Sequence, residues 1–325
     1  DLGWTDLVKH SIDIGDNPPA RQALRRVPIS QRAVKPVIDK HVDEQLRQGI
    51  IEPTQSPFAA NLVIVKKSDG STRACCDFRD LNQLSKRDCY PLPRMDQCLD
   101  ALGGGNSIFT TLDLRNSYHQ VAMEPKDIHK TAFICHRGAY AYRTMPMGLL
   151  NSGATFQRLM DMVMSGLIFE TCLVYLDDIV VFSRTWEEHL PRLEAVLKRI
   201  LATGLKLKPS KCKLLQRKVV FLGHVITGEG VATDPKKTEE VNKWPVPRST
   251  RDVRSFLGLC GYYRRFIDQY AEIAFPLTSM LKKGLKFRWD NACQEAFEKL
   301  KLALTSPPIL AMPRDDGVFI FDTDA

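Results

Sequence analysis

Leu173-Val174-Tyr175-Leu176-Asp177-Asp178-Ile179-Val180-Val181-Phe182 places two acidic residues inside an otherwise apolar run. The β-branched and aromatic residues on either side suit a pleated, buried backbone, so the stretch reads as a β-hairpin with both carboxylates at its bend. Neighbouring carboxylates repel, and each loses hydration when partly buried, so their charge needs compensation. A divalent cation is the simplest source; a solvated turn that favours Asp for backbone reasons is the plain alternative. A third carboxylate, Asp113, ends the β-forming stretch Ile108–Leu114 and would complete an oxygen-rich site suited to Mg2+. Two such ions roughly 3.5–4 Å apart activate an attacking hydroxyl and stabilise a leaving phosphate.

Outward from this hairpin the pattern alternates between strands and helices. A short helical stretch is expected from Ser117, and a helix from Thr155 to about Leu167, with Phe156, Leu159, Met160, Val163 and Leu167 on its apolar face and Gln157 and Arg158 on its polar one. Thr185 and Glu188 have capping-box spacing, and Leu190, Leu193, Leu197 and Leu201 carry a helix towards Gly204. Val219–Leu222 and His224–Ile226 form a strand pair turning through Gly223. Upstream, Val34, Val37, Ile38, Val42 and Leu46 recur at helical spacing and Gly49 stops them. Leu62–Val65 and Arg73–Cys76 flank a lysine-bearing Asp69-Gly70 tip, a plausible phosphate grip. The opening segment to about Pro28 reads as an extended lead-in, not a core element. After the proline-rich tract Trp244–Pro247 the pattern is mostly helical, and Val318–Asp324 closes the chain as a strand.

With 325 residues, 44% of them hydrophobic, the chain can bury a substantial core in two domains or in one domain with an appended lobe. No stretch approaches the roughly 18 apolar residues of a membrane span, and Asp1-Leu2-Gly3-Trp4 lacks the form of a signal peptide. The nine cysteines include the adjacent pair Cys75-Cys76 and show no zinc or disulfide spacing, which suits reduced thiols inside a cell. A formal charge of +8 favours a polyanionic partner. The basic residues cluster: Arg21, Arg25 and Arg26 near the start, Lys206, Lys208, Lys211, Lys213, Arg217 and Lys218 later, and Tyr262-Tyr263-Arg264-Arg265, where aromatics beside cations suit base stacking with phosphate contact.

Tyr175-Leu176-Asp177-Asp178 resembles the Tyr-x-Asp-Asp motif of reverse transcriptases, and Thr111-Leu112-Asp113-Leu114 resembles the strand that supplies their third carboxylate. Asn61 to Asn82 is similar to the family's fingers hairpin. Met145-Pro146-Met147-Gly148-Leu149 followed by Ala154-Thr155-Phe156-Gln157 is similar to its nucleotide pocket, and Phe221-Leu222-Gly223-His224 to its primer grip. The run from Trp244-Pro245 through Tyr262-Tyr263-Arg264-Arg265-Phe266 to Pro276-Leu277-Thr278 resembles the thumb of gypsy-type LTR retrotransposons.

The resemblance implies an α+β right-hand polymerase with fingers, palm and thumb, an antiparallel palm sheet and a helical thumb. The boundaries it suggests are a lead-in over 1–27, fingers and palm over 28–232, thumb over 233–306, and over 307–325 a linker and the truncated first strand of an RNase H domain carrying Asp324. It assigns catalysis and metal binding to Asp113, Asp177 and Asp178, with two Mg2+ ions or Mn2+ in their place. The incoming nucleotide would meet Lys66, Arg73, Tyr118, Met147 and Gly148, and the primer would meet Phe221, Leu222, Gly223 and His224. Tyr118 would lie beneath the sugar and exclude a 2′-hydroxyl; by itself it would more often be a packed core aromatic. Lys66 could simply be solvated, and Arg73 could pair with Asp69 or Asp77.

Met147 stands where phenylalanine is common in the family, Ser152-Gly153 replaces an Ala-Pro pair, and Arg115-Asn116-Ser117 departs from a small-residue pattern. The implied partners are a primed RNA or DNA template and dNTPs, with a parent polyprotein that also contains protease, RNase H and integrase, and no membrane. The implied setting is the cytoplasm, within virus-like particles, with a DNA product destined for the nucleus. RNase H activity is expected to be absent. The competing readings are a domesticated nucleic-acid-binding protein, against which all three carboxylates speak; an RNA-dependent RNA polymerase, against which Tyr118 speaks; and a metal-dependent nuclease, which needs no fingers hairpin.

Overall fold

In the computed structural model, residues 2–25, 34–66, 70, 72–103, 105–234, 239, 241–282 and 287–305 are described. The chain forms two compact units. One comprises Asp1–Pro93, Thr111–Val181 and Leu190–Leu214; the other comprises Arg94–Thr110, Phe182–His189 and Leu215–Ala325. Residues 94–110, 182–189 and 215–232 therefore group with the C-terminal helices, and the division does not fall at the residue-233 boundary suggested by sequence.

The first unit opens with β1 (Thr5–His10), and here the structure corrects the expected lead-in. The strand runs parallel to β6 (Val121–Met123), with Thr5 and His10 buried and Ile12 and Ile14 in the hydrophobic core. Polar anchors hold it: the Ile12 amide donates to Asp127 Oδ2 at 2.9 Å, while Lys130, itself ion-paired to Asp127 at 2.7 Å, donates to the Ile12 carbonyl at 2.6 Å.

Helix α1 (Val34–Arg47) buries Ile38 and Val42, and Gly49 ends it at φ +68°, where the Gly49 and Ile50 amides return to the carbonyls of Leu46 and Gln45. Strands β2 (Ile51–Pro53), β3 (Ala60–Lys66), β4 (Thr72–Cys76), β7 (Phe133–Cys135) and β8 (Gly138–Tyr142) make a five-stranded sheet in the order β2-β8-β7-β3-β4. The β3–β4 hairpin is antiparallel, pairing Val65 with Arg73 and Lys66 with Thr72. A second sheet, ordered β11-β5-β10-β9, is built from β5 (Ile108–Asp113), β9 (Cys172–Tyr175), β10 (Asp178–Ser183) and β11 (Lys213–Gln216). Short helices α2 (Arg79–Leu84) and α3 (Met95–Leu102) lie between β4 and β5 in sequence.

Helix α4 runs over Ser152–Val163, beginning three residues before the expected start and ending before Leu167. Its buried face holds Phe156, Leu159, Met160 and Val163 and also Gln157, which sequence placed on the polar side. Helix α5 (Trp186–Ala202) exists as expected, and the Glu188 amide donates to Thr185 Oγ1 at 3.3 Å. Its buried stripe is Leu193, Val196 and Ile200; Leu190, Leu197 and Leu201 of the expected apolar line are exposed.

In the second unit, β12 (Lys218–Phe221), β13 (His224–Thr227) and β14 (Gly230–Thr233) form an antiparallel meander. Helices α6 (Thr250–Tyr262), α7 (Tyr270–Ser279) and α8 (Asn291–Thr305) follow, with α7 packed on α8. Ser249 caps α6, accepting from the Asp252 amide at 3.2 Å. Phe256 and Phe297, with ring centroids 4.6 Å apart, centre the helical core beside Trp244 and Trp289. No helix among the described residues is long and apolar enough to cross a membrane. The expected RNase H strand, including Asp324, lies outside the described residues.

Candidate active site

The acidic hairpin forms as the sequence requires. Strands β9 and β10 pair Tyr175 with Asp178, leaving Leu176 and Asp177 as a two-residue turn. Leu176 takes φ +55°, a left-handed conformation that a leucine adopts only when its surroundings hold it there. Gln157 of α4 supplies part of that hold: its Oε1 accepts from the Leu176 amide at 2.8 Å and its Nε2 donates to the Val174 carbonyl at 3.3 Å. The burial of Gln157 was readable from its i+3 and i+7 spacing to Met160 and Met164, which lie on the same stripe.

Asp113 arrives at the end of β5, with its carbonyl accepting from the Lys208 amide at 2.8 Å. Beyond it Asn116, at φ +47°, turns the chain into a 3-10 helix over Ser117–Gln120. That helix directs Ser117 Oγ to Asp177 Oδ2 at 3.3 Å. Asp178 keeps exposed surface, yet partial burial followed by the charges of Asp177 and Asp113 raises its carboxyl above the ordinary range. The three acidic residues thus share one electrostatic environment.

Lys211 joins them: its Nζ lies 3.0 Å from Asp113 Oδ2. The sequence placed this lysine only within a basic cluster. Pro209 opens the 3-10 turn that carries it, and the isolated bridge between Leu114 and Leu207 brings that turn to the end of β5. Among the described residues, no group of three or more His, Cys, Asp or Glu side chains is placed to hold a metal ion. Mg2+ does not require one, because it typically takes one or two carboxylates and completes its shell with water and substrate phosphates. Asp113, Asp177 and Asp178 offer carboxylate oxygens, the donor chemistry that a hard divalent cation takes.

The residues expected around a nucleotide are placed to different degrees. Tyr118 is half-buried and stacks on Phe156 with centroids 5.2 Å apart, and its phenol is raised first by burial and then by Asp177. Met147 and Gly148 are exposed on the loop leading into α4. Asn82 shapes that loop, donating to the Gly148 carbonyl and accepting from the Leu150 amide, both at 2.8 Å; sequence reading assigned it no role. Lys66 and Arg73 sit in register near the end of the β3–β4 hairpin, and their side chains, like residues 67–69 and 71 at the tip, lie outside the described set. The alternative partner for Arg73, Asp77, is paired with Arg25 at 3.0 Å and Arg79 at 2.7 Å, which hold its carboxyl down at about 2.

In the second unit, Phe221 pairs with His224 across a turn made by Leu222 at φ +48° and Gly223 at φ +70°. Two tyrosines at the end of α6 hold it: Tyr262 Oη donates to the Leu222 carbonyl at 2.5 Å and Tyr263 Oη to the Gly223 carbonyl at 3.1 Å. His224 is buried against both rings, with centroids 5.4 Å away in each case. Of the two rings expected to stack on bases, Tyr263 is buried and braces the turn instead, while Tyr262 keeps exposed surface; Arg265 is engaged by Asp100 at 2.9 Å.

Residues 64–226 match the family model for reverse transcriptase (RNA-dependent DNA polymerase). The Pol polyprotein of Drosophila melanogaster transposon 297 is 39% identical over the whole chain, which spans 31% of that polyprotein. That of Drosophila transposon gypsy is 33% identical, again over the whole chain and 33% of the relative. The chain thus spans about a third of the length of these relatives. Among solved structures, the foamy viral protease-reverse transcriptase in complex with RNA/DNA hybrid superposes with a TM-score of 0.83 at 25% identity, covering 97% of this chain and 42% of that one. The foamy viral protease-reverse transcriptase dRH in complex with double-stranded DNA gives 0.87 at 25% identity, over 97% and 55%. With half its length matched by the family model, and a right-hand polymerase fold shared with solved relatives, the chain belongs to the reverse transcriptases.

Proposed function

We propose that this chain is the polymerase portion of a retrotransposon Pol polyprotein, extending a primer on RNA or DNA templates with dNTPs. The observation that carries the reading is the shared environment of Asp113, Asp177 and Asp178, in which the like charges of Asp177 and Asp113 help to raise the Asp178 carboxyl. Nearby carboxylates in one electrostatic setting need a cation, and the family's chemistry employs one. Asp113, Asp177 and Asp178 would hold it. Two Mg2+ ions (or Mn2+) held by these carboxylates would supply Lewis-acid activation for the primer 3′-hydroxyl and charge neutralisation for the leaving pyrophosphate.

The chain's own side chains supply the remaining functions. Gln157 and Ser117 orient the acidic turn, while Lys211 offsets the charge of Asp113. Lys66 and Arg73 are assigned to the triphosphate, where a guanidinium grips two oxygens and an ammonium acts as a mobile point charge. Tyr118 is assigned to the face beneath the nucleotide sugar, its ring leaving no room for a 2′-hydroxyl; Phe156 stacked behind it supports that role. The primer is assigned to the Phe221–His224 turn, and template and primer backbones to the basic clusters, with a grip that weakens strongly as salt rises. The fingers, palm and thumb assignments follow this reading, as do a parent polyprotein with protease, RNase H and integrase and action within cytoplasmic virus-like particles.

The test is extension of a DNA primer on an RNA template, with the Asp177→Asn variant as control. Template-dependent incorporation of dNTPs that the variant loses supports the reading; no extension by folded wild-type protein, or extension undiminished in the variant, overturns it.

A further inference from the structure

The turn that presents Asp177 depends on Gln157, and Gln157 is not self-supporting. A backbone amide can only donate, so Leu176 requires the carbonyl oxygen of the Gln157 side chain. The Gln157 amide nitrogen must then face acceptors, and it does: the Val174 carbonyl and, one helical turn along α4, Asp161 Oδ1 at 2.9 Å. Gln157 is fully buried, so no water can substitute for either contact.

Asp161 is itself held. Its second oxygen accepts from Tyr90 Oη at 2.6 Å. The Tyr90 ring lies under the Arg158 guanidinium, 4.6 Å from the centroid, and Arg158 is fixed to Asp88 at 2.7 Å. The Tyr90 amide returns to Asp88 Oδ1 at 3.0 Å, and the Asp88 amide to Asn151 at the start of α4. Burial, followed by the bond to Asp161, pushes the Tyr90 phenol up to about 12, so it remains a donor throughout the working range.

We infer that Tyr90 and Asp161 are positioning residues for the catalytic turn, transmitting a fixed orientation through Gln157 to Leu176 and hence to Asp177; the inference rests on the polymerase reading above. Rotation of the Gln157 amide would present an NH2 group to the Leu176 amide, donor against donor, and release the strained left-handed leucine beside the reacting carboxylates. Small misplacements at such a site cost rate out of proportion to their size.

The experiment combines Tyr90→Phe, Asp161→Ala and Asp161→Asn with Gln157→Ala in the full chain. It reads kcat and KM for primer extension, together with hydrogen exchange at the Leu176 amide. Tyr90→Phe is expected to lower kcat about 3-fold and Asp161→Ala about 10-fold or more, with KM for primer-template unchanged and Leu176 exchange faster by similar factors. Asp161→Asn, which keeps an acceptor, restores part of the loss. In a Gln157→Ala background neither Tyr90→Phe nor Asp161→Ala has a further effect. Losses that multiply in that background, or unchanged Leu176 exchange, overturn the inference. Should Asp161→Ala fail to fold, Tyr90→Phe, which removes a single hydroxyl, decides alone. Failure of the polymerase reading is separately visible as activity that survives Asp177→Asn, while Leu176 exchange still reports on the chain of contacts.

Discussion

Two hairpin turns of this molecule share a left-handed leucine at their first position and differ at the second, in backbone as well as in chemistry. Each has a leucine as its first residue in the left-handed region, Leu176 at φ +55° and Leu222 at φ +48°. Each has a backbone polar atom of that leucine held by a helix side chain, the amide of Leu176 by Gln157 and the carbonyl of Leu222 by Tyr262. The second residue then separates them. Gly223 takes φ +70°, and a Cβ there would meet Tyr263 Oη at 3.4 Å and Tyr262 Oη at 3.6 Å, so the neutral turn is packed beneath phenols. The acidic turn has Asp177 at the same place, followed by Asp178. A strained but braced turn is thus a general way to hold a short segment rigid, and the residue after the leucine decides whether it presents charge or packs against aromatics.

The largest contrast comes from giving the acidic turn the second residue of the neutral one. Asp177→Gly is expected to lower single-turnover nucleotide incorporation by about 10^3-fold or more while the β9–β10 pairing, followed by backbone NMR shifts, persists. Retention of more than a tenth of the activity would break the comparison. Next, Gly223→Ala imposes strain at positive φ, its methyl meeting the two phenols only at ordinary contact distance, a destabilisation of about 1 kcal/mol; about tenfold weaker primer-template binding in a filter or anisotropy assay is the expected readout. Tyr262→Phe removes one brace, worth about 1 kcal/mol, and should speed primer-template dissociation about 3- to 5-fold with little change in kcat.

The smallest effect concerns stability and pH. Because the Asp178 carboxyl is raised in the folded protein, the native state binds its proton more tightly than the unfolded chain does. Its contribution to stability is therefore present in acid and is lost as pH rises through the raised value. Asp178→Asn should raise the melting temperature of the metal-free protein by about 1–3 °C above that value and by nothing well below the ordinary aspartate range. Melts in chelator across a pH series would measure the difference, and a variant less stable than wild type near neutrality would contradict the assignment of cause.

Much of this was readable from residues alone, where one local pattern admitted one structure. Alternating β-formers around Asp177 and Asp178, the stretch ending in Asp113, the β3–β4 hairpin and the Leu222-Gly223 turn all form as their sequences require. Where two patterns competed, the sequence was silent. Helix α5 carries two apolar stripes, and the leucine-rich line at positions 190, 197 and 201 is the one left exposed, while Leu193, Val196 and Ile200 are buried. The N-terminal segment reads as an extended lead-in because it is polar and contains Asn17-Pro18-Pro19, yet the Asp127–Lys130 pair anchors it to the core.

What the sequence determined by itself was the acidic hairpin, the strand ending in Asp113, the β3–β4 hairpin and the amphipathic helices α1, α4 and α5, because backbone propensity, turn chemistry and hydrophobic period act within a few residues of one another. What only the tertiary structure decided was which long-range side chains complete them: Lys211 on Asp113, Gln157 and its supports Asp161 and Tyr90 beneath the acidic turn, and Tyr262 and Tyr263 on the neutral one. A polar side chain reveals nothing of its partner until folding brings the two within about 3 Å, since a hydrogen bond is set by that distance and by direction and not by separation along the chain.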